Sequence, residues 1–256
     1  MQNGTHITID PAYAGETELI RSVPERFRLL GTAIHDKRNK LNKVEVGGEQ
    51  WVIKSYRPPH FLNRYIYGLF RPSKARRAYE HALRLQEMQI PTPAPVAYLE
   101  IRKGFGLRES YFISQFCSYS HNFFEICEKP LEEVRHFLQH FTRFTFYLHE
   151  RGILHHDFSR GNILFEPDNE GYRFSLIDIN RMDFGPLSPK ERLRNFGRLR
   201  ATPELYAFMA HEYAALSGLE ESYCLAEMLQ SDAADRKRVD KNQQLKRWLG
   251  IKKQKK

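Results

Sequence analysis

The 256-residue chain is 41% hydrophobic and 28% charged, which argues against disorder and suffices for one large core or two modest lobes. Its three cysteines, Cys117, Cys127 and Cys224, lie far apart with no C-x-x-C pair, arguing against a disulfide framework and a thiolate zinc site and for a reducing compartment. The formal net charge of +9 belongs to one segment: residues 236–256 hold ten Lys/Arg against one Asp, leaving 30 of each sign before it.

That basic tail reads first as a solvated helix and arm, with a tether to anionic lipid or nucleic acid as the alternative. The start, "MQNGTHITID", lacks the basic, apolar and small-residue sections of a secretory signal, and no apolar run approaches the ~18 residues of a membrane span. A cytoplasmic protein that does not span the membrane is the expectation.

In chain order, "RLLGTAIHD" and "NKVEV" are candidate strands around the polar loop "KRNK", and Gly47-Gly48 makes a tight hairpin into "EQWVIKSY". Alternation there puts Trp51 and Ile53 on one face, Val52 and Lys54 on the other. "SKARRAYEHALRLQEM" has helical spacing at Ala75, Ala78, Tyr79, Ala82, Leu83 and Leu85, with Ser73 as N-cap. "PVAYLEI" and "ESYFISQF" flank the turn "RKGFG" as a second hairpin. Beyond residue 118 the pattern turns helical. "PLEEVRHFLQHFTRFTFYLHERG" places Val134, Phe137, Leu138, Phe141, Phe144 and Leu148 on one stripe between Pro130 and Gly152. "SPKERL" carries a capping box, Ser188 with Glu191, and "TPELYAFMAHEYAALSG" runs from Thr202 to Gly218. A β-rich half followed by an α-rich half implies an α+β chain with a β-rich N-lobe, 1–117, and a helical C-lobe, 118–256.

The chemistry concentrates in "HHDFSRGNILFE" and "FSLIDIN". Asp157 and Asn162 stand five apart, and Asp178 follows after two runs that would pair as a hairpin, bringing Asn162 and Asp178 to neighbouring strand ends. One carboxylate and one amide oxygen, with ATP phosphates, are a typical way to hold Mg²⁺. Asp157 is then placed to accept a proton from an attacking hydroxyl. This is the H-x-D-x-x-x-x-N spacing, followed by a metal Asp, of the protein-kinase fold. "WVIK" supplies Lys54 for the α and β phosphates and Val52 for the adenine pocket, and Glu80 on the next helix is expected to pair with Lys54. Gln115 and Cys117 are further nucleotide-contacting candidates.

There are departures. No G-x-G-x-x-G precedes Lys54; Arg38, Asn39 and Lys40 in "GTAIHDKRNK" are expected to contact phosphates with side chains instead. "IN" follows Asp178 where protein kinases have "FG", and no "APE" follows. Arg160 stands in the catalytic loop, which lacks the usual lysine, and is expected to stabilise the transferred phosphoryl group. His155 braces the loop, and the His136/His140 pair reads as surface.

At "SYRPPHFLNRYIYGLFRPSKARRAYEHA", "HHDFSRGNILF" and "LIDINRM" the chain resembles the lipopolysaccharide kinase family, the Kdo and core-heptose kinases, over roughly residues 5–200. The resemblance implies ATP and Mg²⁺ as cofactors and, as acceptor, a sugar hydroxyl of lipid A-linked core oligosaccharide at the cytoplasmic face of the inner membrane. Arg57, Arg64, Arg71, Lys74, Arg76 and Arg77, interleaved with Phe61, Tyr65, Tyr67 and Phe70, suit an anionic membrane surface, as does the tail. Nucleic acid is not an expected partner. The competing readings are a kinase of a soluble aminoglycoside-type or protein acceptor, and a non-catalytic pseudokinase scaffold.

Overall fold

The computed structural model describes residues 3–36, 40–56, 72–104 and 106–248. Of the residues singled out above, Arg38, Asn39, Arg57, Phe61, Arg64, Tyr65, Tyr67, Phe70 and Arg71 lie outside that set. The chain divides into two compact units, Met1–Ser118 with Ser175–Arg181, and Tyr119–Phe174 with Met182–Lys256. The sequence boundary at 117 had assigned Ser175–Arg181, and with it Asp178, to the C-terminal half.

The first unit is built on six antiparallel strands in the order β1-β5-β6-β4-β3-β2. These are β1 Asn3–Ile9, β2 Thr32–Asp36, β3 Lys40–Val46, β4 Glu49–Tyr56, β5 Pro95–Lys103 and β6 Gly106–Gln115. Gly47 and Gly48, at φ +57° and +84°, make the turn between β3 and β4, the left-handed pair that a two-residue hairpin requires. Trp51 and Ile53 of β4 are each only 2% exposed and point into the core with Val44, Val96, Leu99 and Ile113. Their alternates, Val52 and Lys54, are half-buried on the other face.

Two elements of this unit were not anticipated. Strand β1 pairs with β5 from Asn3↔Lys103 to Ile9↔Ala97, with Ile7 and Ile9 only half-buried against the core. Helix α1, Thr17–Arg26, contains Pro24, a residue that costs about 3 kcal/mol inside a helix. Burial of Ile20, Val23 and Phe27 against the sheet outweighs that cost, and Asn42 seals the helix end by donating to the Phe27 and Leu30 carbonyls at 2.7 and 2.9 Å. Helix α2, Lys74–Glu87, starts as its sequence indicates: the Ser73 hydroxyl accepts from the Arg76 amide at 3.0 Å. The segment Ser175–Arg181 is tied to this unit by Leu176 N–H donating to the Pro91 carbonyl and Thr92 Oγ1 donating to the Leu176 carbonyl.

The second unit contains a sheet of order β10-β9-β7 (β7 His121–Asn122, β9 Ile163–Asp168, β10 Gly171–Leu176) and the pair β8 Ile153–His155 with β11 Met182–Phe184. Its helices are α3 Leu131–Glu150, α4 Pro189–Arg194, α5 Pro203–Ser217 and α6 Glu221–Trp248, with a 3₁₀ turn at Asn195–Arg198. The core is aromatic: Phe123, Phe137, Phe141, Phe158, Phe196, Tyr206 and Tyr213 are almost completely buried. The capping box of Ser188 and Glu191 and the left-handed stop at Gly218 form as expected. The tail, expected as a solvated helix and arm, is helical as the continuation of α6 as far as Trp248. Among the described residues no helix is long and apolar enough to cross a membrane.

His149 lies at the centre of this unit, 1% exposed, between the Tyr213 hydroxyl and the Asn195 side-chain oxygen. Burial pulls its pKa down to about 4. A histidine held neutral in the fold takes up its proton on unfolding, so stability rises with pH between about 4 and the ordinary value near 6.5. Replacing His149 with Gln should flatten that limb in urea denaturation series across pH 4–7.

Candidate active site

In the first unit, strand β4 and the Ser175–Arg181 segment bring together two residues that are 124 apart in sequence: Lys54 Nζ donates to Asp178 Oδ1 at 2.6 Å. The pair is partly buried, at 12% and 28% side-chain exposure, where water screens less than at the surface. Asp178 has φ +56°, the left-handed region that costs an ordinary residue roughly 1–2 kcal/mol and that Asp tolerates better than most. Its neighbours hold it there. Asn180, 5% exposed, donates through Nδ2 to the same Oδ1, and His81 of α2 hydrogen-bonds the Ile179 carbonyl at 2.7 Å. Burial, opposed in part by that bond, lowers the His81 pKa, so its Nδ1–H donates from a neutral ring. Tyr56 lies under the ammonium, 5.2 Å from Nζ to ring centroid. Burial and then the charge of Asp178 push its hydroxyl pKa well up.

The expected Lys54–Glu80 ion pair is not formed. Glu80 pairs with Arg76, one helical turn earlier on the exposed face of α2, at 2.7 Å. The i,i+4 partner is nearer at hand than a cation on the sheet, and Lys54 finds its carboxylate in Asp178 instead.

In the second unit, β8 ends at His155 and β9 begins at Ile163, and the loop between them is fixed from several sides. Phe158 is fully buried and stacks on Phe141 at 5.8 Å. Asp157 N–H donates to His155 Nδ1 at 3.0 Å, so that nitrogen is the unprotonated one and the ring braces the loop. Asn162 Nδ2 donates to the Asp157 carbonyl at 2.9 Å. That bond engages the amide nitrogen of Asn162 and not its oxygen. The Asp157 carboxylate is ion-paired through Oδ1 with Arg198 at 2.6 Å. Arg160 turns its guanidinium onto the ring of Phe124, 4.4 Å from the centroid, and donates to Cys127 Sγ at 3.2 Å.

The remaining candidates are dispersed. Val52 is half-buried on β4, Lys40 is exposed at the start of β3, Gln115 donates to Glu49 at 3.3 Å, and Cys117 is a half-buried free thiol. Lys74 and Arg77 lie half-buried on the first turn of α2. Among the described residues no three His, Cys, Asp or Glu side chains cluster as a metal site. An Asp carboxylate or an Asn amide oxygen, each by itself, is a donor that suits a hard cation completing its shell with water and phosphate oxygens.

The lipopolysaccharide kinase (Kdo/WaaP) family profile matches residues 36–218, a span that includes Lys54, Glu80, Asp157, Asn162 and Asp178. The chain belongs to this family. It is therefore a phosphotransferase with a hydroxyl acceptor. Among solved structures, WaaP in complex with acyl carrier protein matches with a TM-score of 0.60 and 17% identity, covering 92% of this chain and 98% of that one. At that identity the likeness shows the protein-kinase-like fold. The Rio2 kinase–ADP/Mg²⁺–phosphoaspartate complex from Chaetomium thermophilum (TM-score 0.47, 17% identity, 87% and 77% coverage) also matches. So does apo aminoglycoside phosphotransferase APH(4)-Ia, a thermostable mutant (0.49, 14%, 89% and 94%). No curated protein matches.

Sequence reasoning missed Asn180, His81 and Arg198. The "IN" after Asp178 was the one local sign, since an amide two residues from a carboxylate can reach it; the other two act across long separations. Because the Arg76–Glu80 pair is an exposed i,i+4 pair, a double-mutant cycle with Arg76→Ala and Glu80→Gln, read by urea denaturation, should give a coupling of about 0.3–0.5 kcal/mol.

Proposed function

We propose that this lipopolysaccharide kinase family member transfers the γ-phosphoryl group of ATP to a sugar hydroxyl, on Kdo or heptose, of the lipopolysaccharide inner core. Lys54 positions the α and β phosphates of ATP, and Asp178 and the Asn162 amide oxygen would hold Mg²⁺, which would supply charge neutralisation on the phosphates. Asp157 orients the acceptor hydroxyl and takes its proton, and Arg160 supplies positive charge beside the transferred group. The reaction asks little covalent chemistry of the protein, so positioning and charge carry most of the rate. The observation that carries this reading is the Lys54–Asp178 pair, two kinase positions joined at 2.6 Å inside the span that the family profile matches.

An anionic acceptor is supported by residues 55–79, where six Lys/Arg occur with no Asp or Glu. A phosphorylated or carboxylated saccharide on a lipid suits that charge, and a cationic aminoglycoside does not. The site of action would be the cytoplasmic face of the inner membrane, reached by a peripheral enzyme.

Asp157→Ala should lower phosphoryl transfer by about 10²–10⁴-fold while Mg-ATP binding, measured by calorimetry, stays close to wild type. In cells carrying only that variant, mass spectrometry of intact lipopolysaccharide should show one core phosphate fewer. Transfer by the variant at the wild-type rate would rule out the assignment.

A further inference from the structure

The Asp157 loop is stitched at three points by the 3₁₀ turn Asn195–Arg198. Asn195 Nδ2 donates to the His155 carbonyl at 2.9 Å, Arg198 Nη1 donates to the His156 carbonyl at 3.1 Å, and the same nitrogen is ion-paired with Asp157 Oδ1 at 2.6 Å. The turn in turn rests on α6. A Cβ on Gly197 would lie 2.1 Å from Ser231 Oγ and 2.7 Å from the Ser231 backbone, so only glycine permits this approach. Ser231 Oγ donates to the Arg194 carbonyl at 2.8 Å, and the buried Tyr206 hydroxyl reaches both the Phe196 carbonyl and Asp232. Arg198 Nε is buried without a hydrogen bond and faces Asp235 Oδ1 at 3.8 Å. A buried donor with an ion-pair contact on one side and the Asp157 carboxylate on the other has little freedom to move.

Taken with the role of Asp157 proposed above, on which this step rests, the geometry points to Arg198 as the positioning residue of the acceptor-activating carboxylate. It occupies Oδ1 and so leaves Oδ2 to receive the acceptor hydroxyl, while α6 fixes Arg198 through Asp235 and the Gly197–Ser231 contact. The C-terminal helix is thereby part of the catalytic apparatus. The arginine touches neither nucleotide nor acceptor; it acts through Asp157.

The test uses the full-length protein with purified lipid A-linked inner-core oligosaccharide as acceptor, and ATP hydrolysis as a parallel reaction in which water takes the acceptor's place. Arg198→Met should lower kcat by about 100-fold in both reactions, the cost of a carboxylate displaced by about an ångström, with KM for Mg-ATP within about twofold of wild type. Arg198→Lys keeps a cation and should recover about tenfold of the loss, whereas a shape requirement alone would not distinguish Met from Lys. Should Arg198→Met not fold, as read by its melting transition, Arg198→Lys provides the second arm: with kcat about tenfold below wild type and KM for Mg-ATP within about twofold it supports the inference, and wild-type kcat in a folded Arg198→Lys protein overturns it. Wild-type kcat in a folded Arg198→Met protein overturns the inference. Equal losses in kcat and Mg-ATP affinity, with Lys no better than Met, also overturn it. A wild-type enzyme that hydrolyses ATP but leaves the oligosaccharide unmodified refutes the proposed acceptor, and Arg198 is then judged on the hydrolysis data. A wild type inert in both refutes both.

Discussion

A carboxylate with the role proposed for Asp157 has to be held within a fraction of an ångström, and a loop such as 155–162 has no strand ladder to do so. In this chain the constraint is met by fixing each polar group of Asp157 separately. Its amide is taken by His155, its carbonyl by Asn162 and one carboxylate oxygen by Arg198. Each of those partners is itself restrained: His155 is 1% exposed with its carbonyl capped by Asn195, and Arg198 is pressed between the loop and α6. Phe158 anchors the same loop by burial alone. Mutual restraint of this kind lets a polar cluster sit in one geometry, because shifting any member leaves another unpaired.

The nucleotide-side residues follow the same logic by a different device. Asp178 occupies a left-handed conformation that its sequence does not favour, and the surroundings supply what the backbone lacks. Lys54 and Asn180 both converge on Oδ1, and α2 reaches over through His81 to hold the next carbonyl. In protein kinases the lysine is oriented by a glutamate of the helix; here the helix contributes His81 to the segment that carries Asp178, and its glutamate stays on the surface with Arg76. Lysine, aspartate and helix are still linked, with the bond from the helix made at the aspartate end.

What the sequence discloses follows from how local each signal is. Hairpins, helix caps and the amphipathic stripe of α3 were legible because their causes lie within one or two turns: a Gly pair, a Ser three residues before an amide donor, apolar residues at 3.6 spacing. Spacing and order single out Lys54, Asp157, Asn162 and Asp178, and the structure joins Lys54 to Asp178 and Asn162 to Asp157. Strand β1 was not legible, since a short edge strand whose apolar residues Ile7 and Ile9 are only half-buried is specified largely by its partner β5, and α1 was masked by Pro24. Ion pairs such as Asp157–Arg198 leave no periodic trace, so nothing in "RNFGRLR" marks an arginine that reaches back to the Asp157 loop.

The same distinction decides what the basic tail can offer an anionic surface. Counting charges treats ten Lys/Arg in residues 236–256 alike, but Arg236 is paired with Asp232 at 2.6 Å and Arg238 with Asp235. Asp235 is 6% exposed on its side chain and also takes Arg200 at 2.6 Å. Burial works against its charge, and the hydrogen bonds and charge of Arg200 and Arg238 outweigh that and hold its pKa below the usual aspartate value. Withdrawing Arg238 to a lipid phosphate would weaken the compensation of a buried carboxylate, a cost that opposes the roughly 1 kcal/mol a basic residue gains near an anionic bilayer. The Arg76–Glu80 pair is about half exposed on both sides and worth little, so Arg76 is free to exchange partners. Within the described part of the tail, exposed Lys237 and Lys241 are therefore the cations left for an anionic surface, while the acid-paired arginines of α6 are committed to the fold around Asp235.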